Sequence, residues 1–116
     1  MKARLDISPM TVALSAGNTV FQYYTGGIIS SIGCNITNGV TNKVDHAIGV
    51  IGYGSDATTG FDYWVFRNQW GVSWGERGYV RVAIDYSGST GPTLGRGYCH
   101  SHTEMYRAIV QPVTYY

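Results

Sequence analysis

HAIGVIGYGSDATTGFDYWVFRNQW, residues 46 to 70, holds two apolar runs separated by a string of turn formers. Residues 46–53 and 63–68 are rich in Val, Ile, Tyr, Trp and Phe, which suit a pleated strand. GSDATTGFD, residues 54–62, continues neither run and reads as the connection between them. The pair is therefore an antiparallel hairpin. With Tyr53 opposite Tyr63, paired residue numbers sum to about 116. His46 then falls opposite about residue 70, beside Asn68 and Trp70. One end of a sheet collects an imidazole, an amide and an indole.

These three residue types make chemical sense together. A histidine acting as general base needs one ring orientation and one tautomer. An amide oxygen can accept the N–H of one ring nitrogen and free the other for a nucleophile. An indole laid over that hydrogen bond excludes water and strengthens it. The plainer alternative is that His46 caps a strand, Asn68 makes a turn, and Trp70 and Trp74 are core.

Working outward, MTVAL (10–14) predicts a short buried strand, and GNTVFQYYTGG (17–27) one short helix. Asn18 is its expected cap, Val20, Phe21 and Tyr24 share a face, and Gly26-Gly27 stops it. GYVRVAIDY (78–86) alternates as a strand, SGSTGPTLGRG (87–97) is a loop, and YRAIV (106–110) suggests a last strand. The fold class is α+β: mainly antiparallel β with little helix.

Composition sets the outer limits. The 116 residues suit one domain, and 44% apolar content can build a core. Charge is sparse at 13%, with a net of +1, so no basic patch points to nucleic acid. Ten tyrosines and sixteen glycines fit strands with a wet face, turns and bulges. Tyr and Trp richness alone would also suit a carbohydrate-binding β domain. No apolar run reaches the roughly 20 residues of a membrane helix. Lys2 and Arg4 precede apolar and then small residues, but Asp6 and Pro9 interrupt any signal-peptide pattern. Cys34 and Cys99 are either buried thiols or one disulfide, which would imply an oxidising compartment.

KVDHAIGVIGYG (43–54) followed by DYWVFRNQWGVSWGERGYVRV (62–82) resembles the C-terminal half of papain-like cysteine peptidases. Two motifs stand in the family's order and spacing, with a shared WG..WG centre. SPMTVALSAGNTVFQYYTGGI (8–28) is similar to the family's segment upstream of the histidine. The resemblance implies a β-barrel-like right-hand domain with one short helix over residues 8–112. Residues 1–7 would be a lead-in and 113–116 a tail. It makes His46 the catalytic base, Asn68 its orienting residue, Trp70 the shielding indole and Trp74 a wall of the primed side. It pairs Cys34 with Cys99 and implies a secreted or lysosome-like setting. It calls for no metal and no cofactor.

The resemblance also implies an S2 pocket walled by Ala13, Val44 and Ala47, suited to a bulky apolar side chain. Counting on from Cys99, Glu104 takes the pocket floor, where a carboxylate would attract a basic side chain. The alternative is a solvated surface acid. Two departures stand out: CHSHTE (99–104) replaces the family's CGI, and Gln69 replaces serine in NSWG.

The family's nucleophile sits in a C-G-[SA]-C-[WY] context, well upstream of the histidine. No such motif occurs in this chain. The thiolate makes the attack, and a neighbouring imidazolium lowers its pKa. The chain alone is therefore expected to be inactive. Its expected partners are a complementary N-terminal papain-like domain, on the same precursor or another chain, and a peptide or protein substrate. A papain-like domain kept as a structural or binding subunit is the competing reading.

Overall fold

Alternation along MTVAL sets the first strand: Met10, Val12 and Leu14 are buried, and Thr11 is exposed. The computed structural model describes residues 10–107. In chain order the strands are β1 (Met10–Leu14), β2 (Ile28–Ile29), β3 (Ile36–Thr37), β4 (Val40–Thr41), β5 (His46–Ser55), β6 (Asp62–Arg67), β7 (Tyr79–Ala83) and β8 (Glu104–Arg107). The helix α1 spans Thr19–Gln22. Single 3-10 turns cover Ile32–Cys34, Gly88–Thr90 and Tyr98–His100.

Six strands form one sheet in the order β2-β7-β6-β5-β1-β8. All neighbours are antiparallel except β2 and β7. β3 and β4 form a separate small hairpin. The expected antiparallel-rich fold with one short helix is present. The sheet is open, however, with β2 and β8 at its edges, so the described residues form no closed barrel.

The central hairpin carries the register. Gly49 faces Arg67 and Val50 faces Phe66, pairs that follow the expected sum. An irregularity between Val50 and Gly52 then shifts the pairing, so Tyr53 faces Trp64 and Gly54 faces Tyr63. The extra residue is Ile51, which points to solvent. The expected Tyr53–Tyr63 pairing is thus off by one at the tip and correct at the His46 end. Gly54 lies so close to Tyr63 that an added Cβ would sit 2.7 Å from its hydroxyl.

One face of the sheet builds the core. Val12, Leu14, Ile48, Val50, Phe66, Val80 and Val82 are almost wholly buried in one cluster with Phe21 of α1. Each such side chain contributes roughly 1.5–3 kcal/mol through burial. Asn18 caps α1 as expected, accepting from Phe21 N at 2.9 Å. The helix ends at Gln22, before Gly26. Trp74 Nε1 donates to the Phe21 and Gln22 carbonyls at 3.1 and 3.2 Å, so the indole satisfies carbonyls another turn would have used.

A disulfide joins Cys34 to Cys99 and ties the 3-10 turn at 32–34 to that at 98–100. Asn35 reinforces the joint, donating to Gly97 O and accepting from Cys99 N, both at 2.8 Å. Two expected strands differ in extent. The run at 78–86 pairs only over Tyr79–Ala83, and the last strand begins at Glu104 rather than 106. Residues 108–110, and the proposed boundaries at 7/8 and 112/113, lie outside the described residues.

Candidate active site

His46 is the first residue of β5 and Asn68 the first beyond β6. The hairpin register that places β5 against β6 brings them together. His46 Nε2 lies 2.7 Å from Asn68 Oδ1. Asn68 is 6% exposed, and its own N–H donates to Gly78 O at 3.0 Å. Its Oδ1 also accepts the Gln69 N–H at 2.9 Å. The Gln69 N–H identifies this atom as the amide oxygen, which carries no hydrogen, so the imidazole must donate to it. Nε2 therefore carries the proton, and in the neutral ring Nδ1 keeps a lone pair.

Aromatic rings surround this pair. Trp70 stacks on His46, with centroids 5.0 Å apart and 28° between planes. Phe21 meets Trp70 edge-on at 5.5 Å, and Trp74 packs against Phe21 at 5.0 Å. Trp70 is 41% exposed, whereas Trp74 is buried. The two tryptophans thus differ in setting: one covers the imidazole, the other ties α1 to the loop after β6.

Two supports were not assigned from the sequence. Asp45 accepts from Ala16 N at 2.8 Å and Gly17 N at 3.1 Å, and its own N–H donates to Leu14 O. It thereby fixes the turn between β1 and α1 to the residue just before His46. An acid directly preceding the histidine was the available signal. Glu76 is the second support. It takes Arg81 at 2.8 and 2.9 Å through both carboxylate oxygens and also accepts from the Tyr24 hydroxyl at 3.0 Å. The Arg81 hydrogen bonds hold the Glu76 carboxyl below its usual range, while burial pushes the Tyr24 phenol up to about 12. This cluster fastens the end of α1 to the WGE turn, and so steadies the loop bearing Trp70 and Trp74.

The expected pocket residues form a row. Ala13 is paired with Ala47 on β5 and with Glu104 on β8. Opposed residues in antiparallel strands share a face, so the three stand side by side across the sheet. Ala13 is half-buried, while Ala47 and Glu104 are exposed. Val44 is half-buried two residues before His46, outside the row. Glu104 Oε2 accepts from the Tyr106 hydroxyl at 3.2 Å. Gln69 spans the other side, its Nε2 donating to Ala47 O at 3.3 Å.

The CHSHTE departure has its own structure. His102 Nε2 accepts the Trp64 indole N–H at 3.0 Å, and His100 Nε2 lies 3.2 Å from Asn35 O. Burial lowers the pKa of both. Among the described residues neither has a hydrogen bond or ring contact with His46. No helix among the described residues is long and apolar enough to cross a membrane.

A family model described as papain family cysteine protease matches residues 1–107. Germination-specific cysteine protease 1 of Arabidopsis thaliana is 39% identical over 96 residues, 82% of this chain and 23% of that protein. Cathepsin L of Sarcophaga peregrina is 35% identical over 97 residues, 84% of this chain and 27% of that protein. The solved bromelain protease from Ananas comosus superimposes with a TM-score of 0.68 at 34% identity, covering 90% of this chain and 42% of that one. The chain thus spans about a quarter of the length of these curated relatives.

Proposed function

The chain belongs to the papain family of cysteine proteases, and from that premise we propose that it supplies the base-bearing half of a peptide-cleaving site. His46 is the general base, Asn68 its orienting residue and Trp70 its cover. The observation that carries this reading is the 2.7 Å contact from His46 Nε2 to Asn68 Oδ1 beneath the Trp70 indole. Asn68 takes Nε2–H, so Nδ1 is the nitrogen that receives a proton. That proton comes from a cysteine thiol, leaving a thiolate–imidazolium pair. The indole face stabilises the imidazolium. The thiolate attacks the peptide carbonyl, and the imidazolium then returns the proton to the leaving amine.

The thiol comes from outside this chain. Its two cysteines form the disulfide, which leaves no free thiol. The chain alone is therefore inactive and acts with a complementary N-terminal papain-like domain. The disulfide fits an oxidising setting, secreted or lysosome-like. Mixing the chain with such a domain tests this through an activated-cysteine probe. Labelling and peptide cleavage should appear and fall by at least about a hundredfold in His46→Ala. A folded complex that never labels overturns the reading and favours a structural or binding subunit.

The row Ala13–Ala47–Glu104 supports a pocket with small apolar walls and an acidic floor. Such a pocket accepts bulky apolar side chains and also a basic one. Glu104→Ala in the reconstituted enzyme should lower the Arg-to-Phe preference at that subsite by about three- to tenfold. An unchanged ratio removes Glu104 from the pocket.

A further inference from the structure

Beyond the peptide-cleaving site, the loop after β6 carries a second concave surface. A cleft of about 340 Å³ is lined by Arg67, Asn68, Gln69, Val72, Arg77 and Tyr79, with Gly71 and Gly78 in its floor. No carboxylate is among these residues. Among the described residues, neither Arg67 nor Arg77 has an acidic partner, because the nearby Glu76 is held by Arg81 and Tyr24. Two arginines lining one cleft give it a positive potential that an anion would offset.

Backbone geometry points the same way. Arg77 and Gly78 adopt φ of 55° and 88°, the left-handed pair of a tight turn closed by the Glu76–Tyr79 bridge. Glycine or asparagine fits the first of these positions with least strain, and arginine is disfavoured there. An arginine thus lines the cleft from a backbone position that carries a conformational cost. Asn68 borders the same cleft, and its Nδ2 is the one buried side-chain N–H without a partner among the described residues. That nitrogen is itself buried, so an anion in the cleft acts on it through its charge and not by direct contact.

We propose that this cleft binds a small oxyanion of the phosphate or sulfate class, held between Arg67 and Arg77. Guanidinium forks match such oxygens in paired hydrogen bonds. The volume lies at the small end of ligand sites and leaves room for a group carried on the anion. The cleft shares Asn68 with the peptide-cleaving site, but anion binding by Arg67 and Arg77 does not require that site to act.

The test is a titration of the chain with inorganic phosphate, followed by nitrogen–proton spectra at constant ionic strength set with chloride. The Nε–H signals of Arg67 and Arg77 and the side-chain amide of Asn68 should move together and saturate, with a dissociation constant on the order of millimolar. Arg67→Gln and Arg77→Gly should each weaken binding about tenfold. Arg77→Gly also relieves the turn, so its fold is secure if Arg67→Gln disturbs the strand. Phosphate should raise the urea midpoint of the wild type and not that of Arg77→Gly. Phosphoserine titrated in parallel separates the sources: tighter binding identifies a phosphate carried on a ligand, weaker binding a free ion. Shifts that never saturate, equal shifts at Arg96 and Lys43, or undiminished binding by Arg77→Gly overturn the proposal.

Discussion

Asn68 Oδ1 accepts from His46 and from the Gln69 backbone, and that second bond determines which imidazole nitrogen holds the proton. A residue identity alone could not show this, because it depends on where a neighbouring N–H points. The buried histidines offer a test at the same scale. Burial lowers the pKa of His102, with the charge of Asp85 opposing, and burial lowers that of His100, with the Asn35 carbonyl opposing. Unfolded histidine titrates near 6.5. The unfolded chain therefore takes protons first as the pH drops. Stability contributed by the neutral rings is full above about 6.5 and is lost progressively below it, down to the lowered folded values. Urea midpoints measured at pH 7 and pH 5 should fall with acidity. The fall should be smaller in His102→Gln, whose side-chain oxygen can still accept the Trp64 N–H.

At the scale of elements, the four-residue helix α1 cannot persist by itself. It depends on partners at both ends. Asn18 accepts at its start and also donates to Ser15 O and Cys34 O, while Trp74 occupies its last carbonyls. Asn18→Ala should cost about 2 kcal/mol in urea unfolding, the upper end of an N-cap loss, because Ser15 O loses its side-chain donor and Cys34 O keeps only Asn42 Nδ2. A loss under about 0.5 kcal/mol would show that α1 is held by packing alone. The cap was legible because Asn before an apolar helical face has one common use. The helix end was not, because Trp74 intervenes from 52 residues away. Likewise the hairpin was legible from two strand-like runs around a string of turn formers, whereas the bulge at Ile51 was not. An extra residue leaves the composition of a strand unchanged and alters only which residue faces which.

For the whole molecule, the disulfide links segments 65 residues apart. In the chain-entropy model a loop of that length contributes about 4 kcal/mol. Reductant should lower the unfolding free energy by roughly that amount, and the reduced protein should gain two hydrogens by mass spectrometry. An unchanged urea midpoint with both thiols free would show that Asn35 and the core hold the joint without the bridge. The open sheet follows from the same scale. Closure depends on whether edge strands meet, and β2 and β8 lie at opposite edges with four strands between them.

The amino-acid sequence by itself determined the longer strands but not β2, β3 or β4, together with the hairpin, the helix cap and the meeting of His46 with Asn68 and Trp70. These rest on alternation and on residues close along the chain, where local sterics and burial act directly. The tertiary structure decided the Nε2 tautomer, the hold of Asp45 on the β1–α1 turn, the Ala13–Ala47–Glu104 row, the open sheet and the Arg67–Arg77 cleft. The row, the open sheet and the hold of Asp45 need segments distant in sequence to be set beside one another, while the tautomer and the cleft need local geometry that residue types do not fix. Hydrogen bonds and like charges act over a few ångströms of space, and only the folded chain sets those distances.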